Sequence, residues 1–131
     1  MPTIAVIEDN EDNRLLLEVI LAEHFDLAEY GDGPEGLAGM RRQPPDLLLL
    51  DISLPGMDGL EVLREIRADP GLQELPVVAL TAHAMSGDRE RLLGAGFDAY
   101  FAKPILDENA LLAEIRRQLG TRAPTSSETP A

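Results

Sequence analysis

Five short apolar runs divide the chain, and between them apolar residues recur at helical spacing. Thr3 to Ile7 reads TIAVI, rich in β-branched residues, and predicts a first strand that EDN stops. Leu15, Leu16, Val19, Ile20 and Ala22 then predict the apolar face of a helix, with Glu18 and Glu23 on its other side. Asn10 or Asp12 can cap that helix. FDLAEY predicts a second strand and GDGP a turn. Pro34 to Arg42 reads as a helix weakened by its interior glycines. DLLLLDI is a continuous apolar strand, the kind that a parallel sheet buries on both faces. After the loop SLPGMDG, Asp58 is placed to cap a helix carrying Leu60, Val62, Leu63 and Ile66. ADPGLQEL is a turn, and PVVAL a fourth strand. Ser86 or Asp88 opens a helix to about Ala95, where Gly96 stops it. FDAYFA is a fifth strand. Asp107 caps a last helix with Leu111, Leu112, Ile115 and Leu119 on one face, ended by Gly120.

Strand and helix thus alternate five times, the pattern of an α/β protein with a parallel sheet covered by helices on both faces. Residues 1–120 make one domain. The remaining 121–131, TRAPTSSETPA, are small and polar with nothing to bury, and read as a disordered tail.

Composition narrows the function classes. A chain of 131 residues, 44% hydrophobic, suits a single core. There is no cysteine, which removes disulfides and thiolate metal sites. Two histidines, His24 and His83, are too few for a histidine-built zinc site without help from carboxylates. No apolar run is long enough to span a bilayer, and the N-terminus lacks the basic-then-apolar pattern of a signal peptide, so a cytoplasmic protein with no membrane partner is expected. The formal net charge of −13, from 24 acidic and 11 basic residues, argues against a nucleic-acid surface. It suits a cation-binding pocket and equally a merely soluble surface.

In an open α/β sheet, ligands bind beyond the carboxyl ends of the strands, where the strand order reverses. The first strand ends in Glu8 and Asp9, the third in Asp51, the fourth in Thr81, and the fifth runs into Lys103 and Pro104. Two carboxylates about 4 Å apart repel by about 4 kcal/mol at an effective dielectric near 20, so three gather only around a cation. Hard oxygen ligands without thiolate or imidazole favour magnesium, with manganese able to substitute. Lys103 can pair with a phosphate oxygen and Thr81 can donate its hydroxyl to another. An aspartate beside a metal is a competent nucleophile toward phosphorus. The set reads as a phosphoryl acceptor. Each member by itself has a plainer reading: a strand-end aspartate or threonine as a helix cap, a lysine as a solvated charge, Tyr100 as strand packing, His24 as surface. Joint placement carries the argument.

VIEDN, LLLLDISLPGMDG, LTA and FAKP stand in order and spacing like those of response-regulator receiver domains, and the resemblance covers residues 3–119. It implies a flavodoxin-like fold with strand order 2-1-3-4-5. It implies Asp51 as phosphoacceptor, with Asp9 as a direct magnesium ligand, Glu8 acting mainly through water, and the Ser53 carbonyl completing the protein ligands. Thr81 and Lys103 would hold the phosphoryl group, and Thr81 with Tyr100 would form the switch. Ser53 and His83 occupy positions that tune dephosphorylation in this family, and the Lys103–Pro104 bond is expected to be cis. The implied donor is a phosphohistidine on a sensor kinase or phosphotransfer protein. Output, or a homodimer, would use the face made by the fourth helix, fifth strand and fifth helix. The segment LTAHAMSGDRERLLGAGFDAY looks like receivers of hybrid kinases and of stand-alone chemotaxis-type or phytochrome-type regulators. Such a module is not an enzyme beyond its own phosphorylation and dephosphorylation.

Two other classes compete. A metal-dependent phosphatase of the aspartyl-phosphate kind usually has a second acid two residues after the nucleophile, where this chain has Ser53. A dinucleotide site is suggested by Gly31, Gly33 and Gly36 in G-x-G-x-x-G spacing. That motif follows the second strand rather than the first, and Asp32 and Glu35 would face a pyrophosphate with negative charge.

Overall fold

The computed structural model describes residues 1–82, 88–103, 105 and 107–121. His83, Ser86, Pro104 and residues 122–131 of the expected tail, with the roles expected of them, lie outside the described residues, while Thr121 of that tail belongs to the last helix. The elements alternate as the pattern predicts: β1 (Thr3–Ile7), α1 (Glu11–Leu21), β2 (Asp26–Tyr30), α2 (Gly33–Arg42), β3 (Leu47–Asp51), α3 (Gly59–Ala68), β4 (Val77–Thr81), α4 (Asp88–Ala95), β5 (Ala99–Ala102) and α5 (Glu108–Thr121). All pairings are parallel, and the strand order is β2-β1-β3-β4-β5. This is the expected flavodoxin-like, doubly wound arrangement.

Two-residue periodicity assigns each strand residue to one of two cores. Ala5, Ile7, Leu48, Leu50, Val77 and Ala79 pack with α2, α3 and Leu92 of α4. Ile4, Val6, Leu47, Leu49, Val78 and Leu80 pack with α1 and α5. Every residue of β3 and β4 is buried, as befits strands covered on both faces. The edge strands β2 and β5 are only partly covered.

Side chains set the helix starts. Asn10 accepts from the Asn13 amide, Asp32 from Glu35, and Asp107 from Ala110. Asp58 and Glu61 form a reciprocal capping box at α3. Gly96 ends α4 at a φ of +117°. Gly120 does not end α5, which runs through it to Thr121.

The expected apolar face of α1 is corrected. Leu17, Ile20 and Leu21 are buried, while Leu15 and Val19 stand 58% and 69% exposed, with Leu16 also at the surface. The run LLLEVIL offers two overlapping apolar stripes, and periodicity cannot say which one faces the sheet. Gly36 of the false dinucleotide motif, and Gly39 outside it, have a packing role. A Cβ on Gly36 would run into Ile7 Cδ1, and one on Gly39 into the Tyr30 ring. They let α2 approach the sheet, and Gly33 and Gly36 are themselves buried.

Candidate functional site

The strand order reverses between β1 and β3, because the chain leaves β1 for β2 on one side and returns to β3 on the other. The residues that end these two strands are therefore neighbours. Glu8 and Asp51 are 0% and 1% exposed, and Asp9 lies at the surface above them. Glu8, Asp9 and Asp51 each offer a carboxylate oxygen, all within 4.8 Å of one another.

Lys103 reaches this group from beyond β5. Its Nζ stands 3.1 Å from Asp51 Oδ2 and 3.2 Å from Glu8 Oε1. Its backbone N–H donates to the Thr81 carbonyl at 2.8 Å, tying the lysine to the end of β4. Thr81 is buried, one residue past Leu80, which pairs with Asp51. The Ser53 amide donates to Asp51 Oδ1 at 3.1 Å and fixes the rotamer of that carboxylate. Five of the predicted residues, Glu8, Asp9, Asp51, Thr81 and Lys103, thus meet at one edge, with Ser53 beside them.

The electrostatics are uneven. Burial pushes the Glu8 carboxyl above its ordinary range, and the charge of Asp51 adds to this, against the Asn10 amide and Lys103. Burial would depress Lys103, but the hydrogen bond and charge of Asp51, and then Glu8, outweigh it and hold the ammonium above its usual value. Two carboxylates share one ammonium, and a third carboxylate stands over them. Such a donor set fits a hard divalent cation of magnesium type.

Tyr100 pairs in register with Ala79 on β4, and both belong to the core under α3 and α4. Alternation puts Thr81 on that same face, diagonal to Tyr100.

Three further residues, to which the sequence reading gave no part in the site, shape it. The Arg14 guanidinium donates to the Glu8 carbonyl at 2.6 Å. The Asn10 amide donates to Glu8 Oε2 at 3.2 Å. Gly59 is required because a Cβ there would sit 2.7 Å from the Asp51 carbonyl oxygen and 2.8 Å from Ile52 Cα. The Asp58–Gly59 pair of the loop was the legible trace of that close approach. Beside the acids, Asn13, Leu16 and Ile105 line a hollow with Glu8 and Lys103.

A model of the response regulator receiver domain matches residues 4–116. The polar-differentiation response regulator DivK of Brucella anthropi is 41% identical over 104 residues, 79% of this chain and 85% of DivK. The histidine-protein kinase BarA of Escherichia coli is 36% identical over 129 residues, 98% of this chain, which spans 14% of the kinase's length. Among solved structures, the receiver domain of the sensor histidine kinase PA1611 of Pseudomonas aeruginosa is 36% identical. Its TM-score is 0.83, with 92% of this chain and 98% of that one covered, and it holds a magnesium ion in its active site cleft. Among the described residues, no helix is long and apolar enough to cross a membrane. The acids gathered at the switch point, the strand order and these likenesses converge: the chain belongs to the response regulator receiver domain family, the receiving module of two-component signalling.

Proposed function

We propose that Asp51 accepts a phosphoryl group from a phosphohistidine of a sensor kinase or histidine phosphotransfer protein. The observation that carries the reading is the Lys103 ammonium poised on Asp51 Oδ2, inside a cluster of three carboxylates. An Asp51 carboxylate oxygen attacks phosphorus, the phosphorus–nitrogen bond breaks, and its electron pair stays on the imidazole of the donor. Lys103 then exchanges a carboxylate partner for a phosphoryl oxygen, and the Thr81 hydroxyl donates to another. Glu8, Asp9, Asp51 and the Ser53 carbonyl would hold magnesium, with manganese able to replace it. Bound there, the ion neutralises charge on the phosphoryl oxygens. Leu16 lines the hollow at Lys103, and with Leu15 and Val19 it leaves an apolar outer face on α1 suited to covering by the phosphohistidine-bearing partner.

Phosphorylation is read out by Thr81 and Tyr100. Drawing Thr81 toward the phosphoryl group frees space on the face that it shares with Tyr100, and the ring moves in. The α4–β5–α5 surface changes with it, by as much as the phosphoryl group's differential affinity for the two arrangements allows. α4 suits such a role, since its only contribution to the buried core among the described residues is Leu92.

Acetyl phosphate with magnesium should add one hydroxylamine-labile phosphoryl group per chain, and Asp51→Asn should abolish it. Undiminished labelling of Asp51→Asn overturns the assignment.

A further inference from the structure

The loop from Glu8 to Asn10 is held at every turn. The Glu8 N–H donates to the Tyr30 carbonyl at 3.1 Å. Glu8 Oε2 accepts from the Asn10 amide. The Asn10 carbonyl accepts the Arg14 backbone N–H at 3.0 Å, and the Glu8 carbonyl accepts the Arg14 guanidinium at 2.6 Å. Arg14 therefore closes the loop twice, once through its backbone and once through its side chain. It stands among Glu11, Asp12, Glu18 and Glu29, where α1 crosses the end of β2. The charge of Arg14 bears on Glu29, whose carboxyl burial and Glu18 push upward.

A guanidinium against the main chain of a carboxylate that serves a divalent cation is electrostatically out of place. Coulomb repulsion alone would make Arg14 weaken cation binding. Yet a carbonyl oxygen next to Asp9 gains its donor from this side chain, and the direction in which Asp9 projects depends on the backbone so fixed.

Resting on the reading of the acids as a magnesium site, we propose that Arg14 is a positioning residue for that site. It fixes the backbone from Glu8 to Asn10, so that Glu8 and Asp9 present their carboxylates together, and this outweighs the repulsion of its charge.

The two effects of Arg14 have opposite signs, which makes the test decisive. Magnesium affinity is measured by amide chemical-shift titration of the folded chain, for wild type, Arg14→Met and Arg14→Lys. Positioning predicts that Arg14→Met weakens magnesium binding by about tenfold or more, the usual effect of removing a group that orients a ligand. Arg14→Lys should fall between it and wild type, because a flexible four-carbon stem holds its donor at the Glu8 carbonyl less firmly than the planar guanidinium does. If charge alone matters, Arg14→Met binds more tightly and Arg14→Lys is unchanged, and the proposal is wrong. Arg14→Lys keeps the test open should Arg14→Met fail to fold, since wild-type affinity in Arg14→Lys also overturns it. Wild-type protein that binds no magnesium would overturn the reading of the site and this inference together. Wild-type binding with unaltered affinity in both variants would overturn the inference alone.

Discussion

The two ends of the sheet carry charge in opposite ways. At the amino end, Arg67 of α3 donates to the carbonyls of Gln73, Leu75 and Gly96 at 3.1, 2.6 and 2.8 Å. It also pairs with Asp98 at 3.1 Å. Asp98 in turn accepts the Val77 amide at 2.8 Å. One cation meets one anion, and the carbonyls and the amide are satisfied around them. The clamp joins the end of α3, the start of β4 and the turn into β5. At the carboxyl end, two buried carboxylates share a single ammonium below a third. The first arrangement has no use for a further ion, whereas the second is left with surplus negative charge. Breaking the pair is costly at either end, but only the second leaves carboxylates that a further cation would neutralise.

Removing the cation at each end tests this difference. Lys103→Met should have the larger effect, because it leaves two buried carboxylates without their cation. Stability in chelator should fall by about 3 kcal/mol. Magnesium should restore most of that loss, since it neutralises the same oxygens. Denaturant titrations with and without the ion measure both quantities. Arg67→Met should lose about 2 kcal/mol, from hydrogen bonds made by a charged donor. Magnesium should recover none of this deficit beyond what it adds to the wild type. Equal rescue of both variants would erase the distinction between the two ends.

The smallest effect is the response of the unaltered chain. At about ten times its dissociation constant, magnesium should stabilise the fold by about 1.4 kcal/mol. Asp51→Asn should shrink that increment and raise stability in chelator, because one of the repelling carboxylates is gone. Identical melting with magnesium and with chelator would show that the carboxyl end is as balanced as the amino end.

The sequence by itself determined the order and kind of the elements. The shortness of the unbroken run LLLLD, bounded by proline and glycine segments, distinguishes it from the spaced pattern of a helix, and Asn10, Asp58 and Asp107 mark the helix starts where a side chain must satisfy free amides. It also determined which polar groups meet, because a parallel sheet sends every strand end to one edge, and Glu8, Asp51, Thr81 and Lys103 each follow or end a strand. These are local facts, or facts of topology. Tertiary structure decided what depends on one element's roll against another. The apolar run of α1 contains two stripes, and the sheet took Leu17, Ile20 and Leu21 rather than Leu15 and Val19. Tertiary structure also gave Arg14 and Arg67 their roles. Both donate to backbone carbonyls, and every residue carries a carbonyl. Nothing in a sequence marks which one an arginine will find, so those bonds exist only once the chain has closed around them.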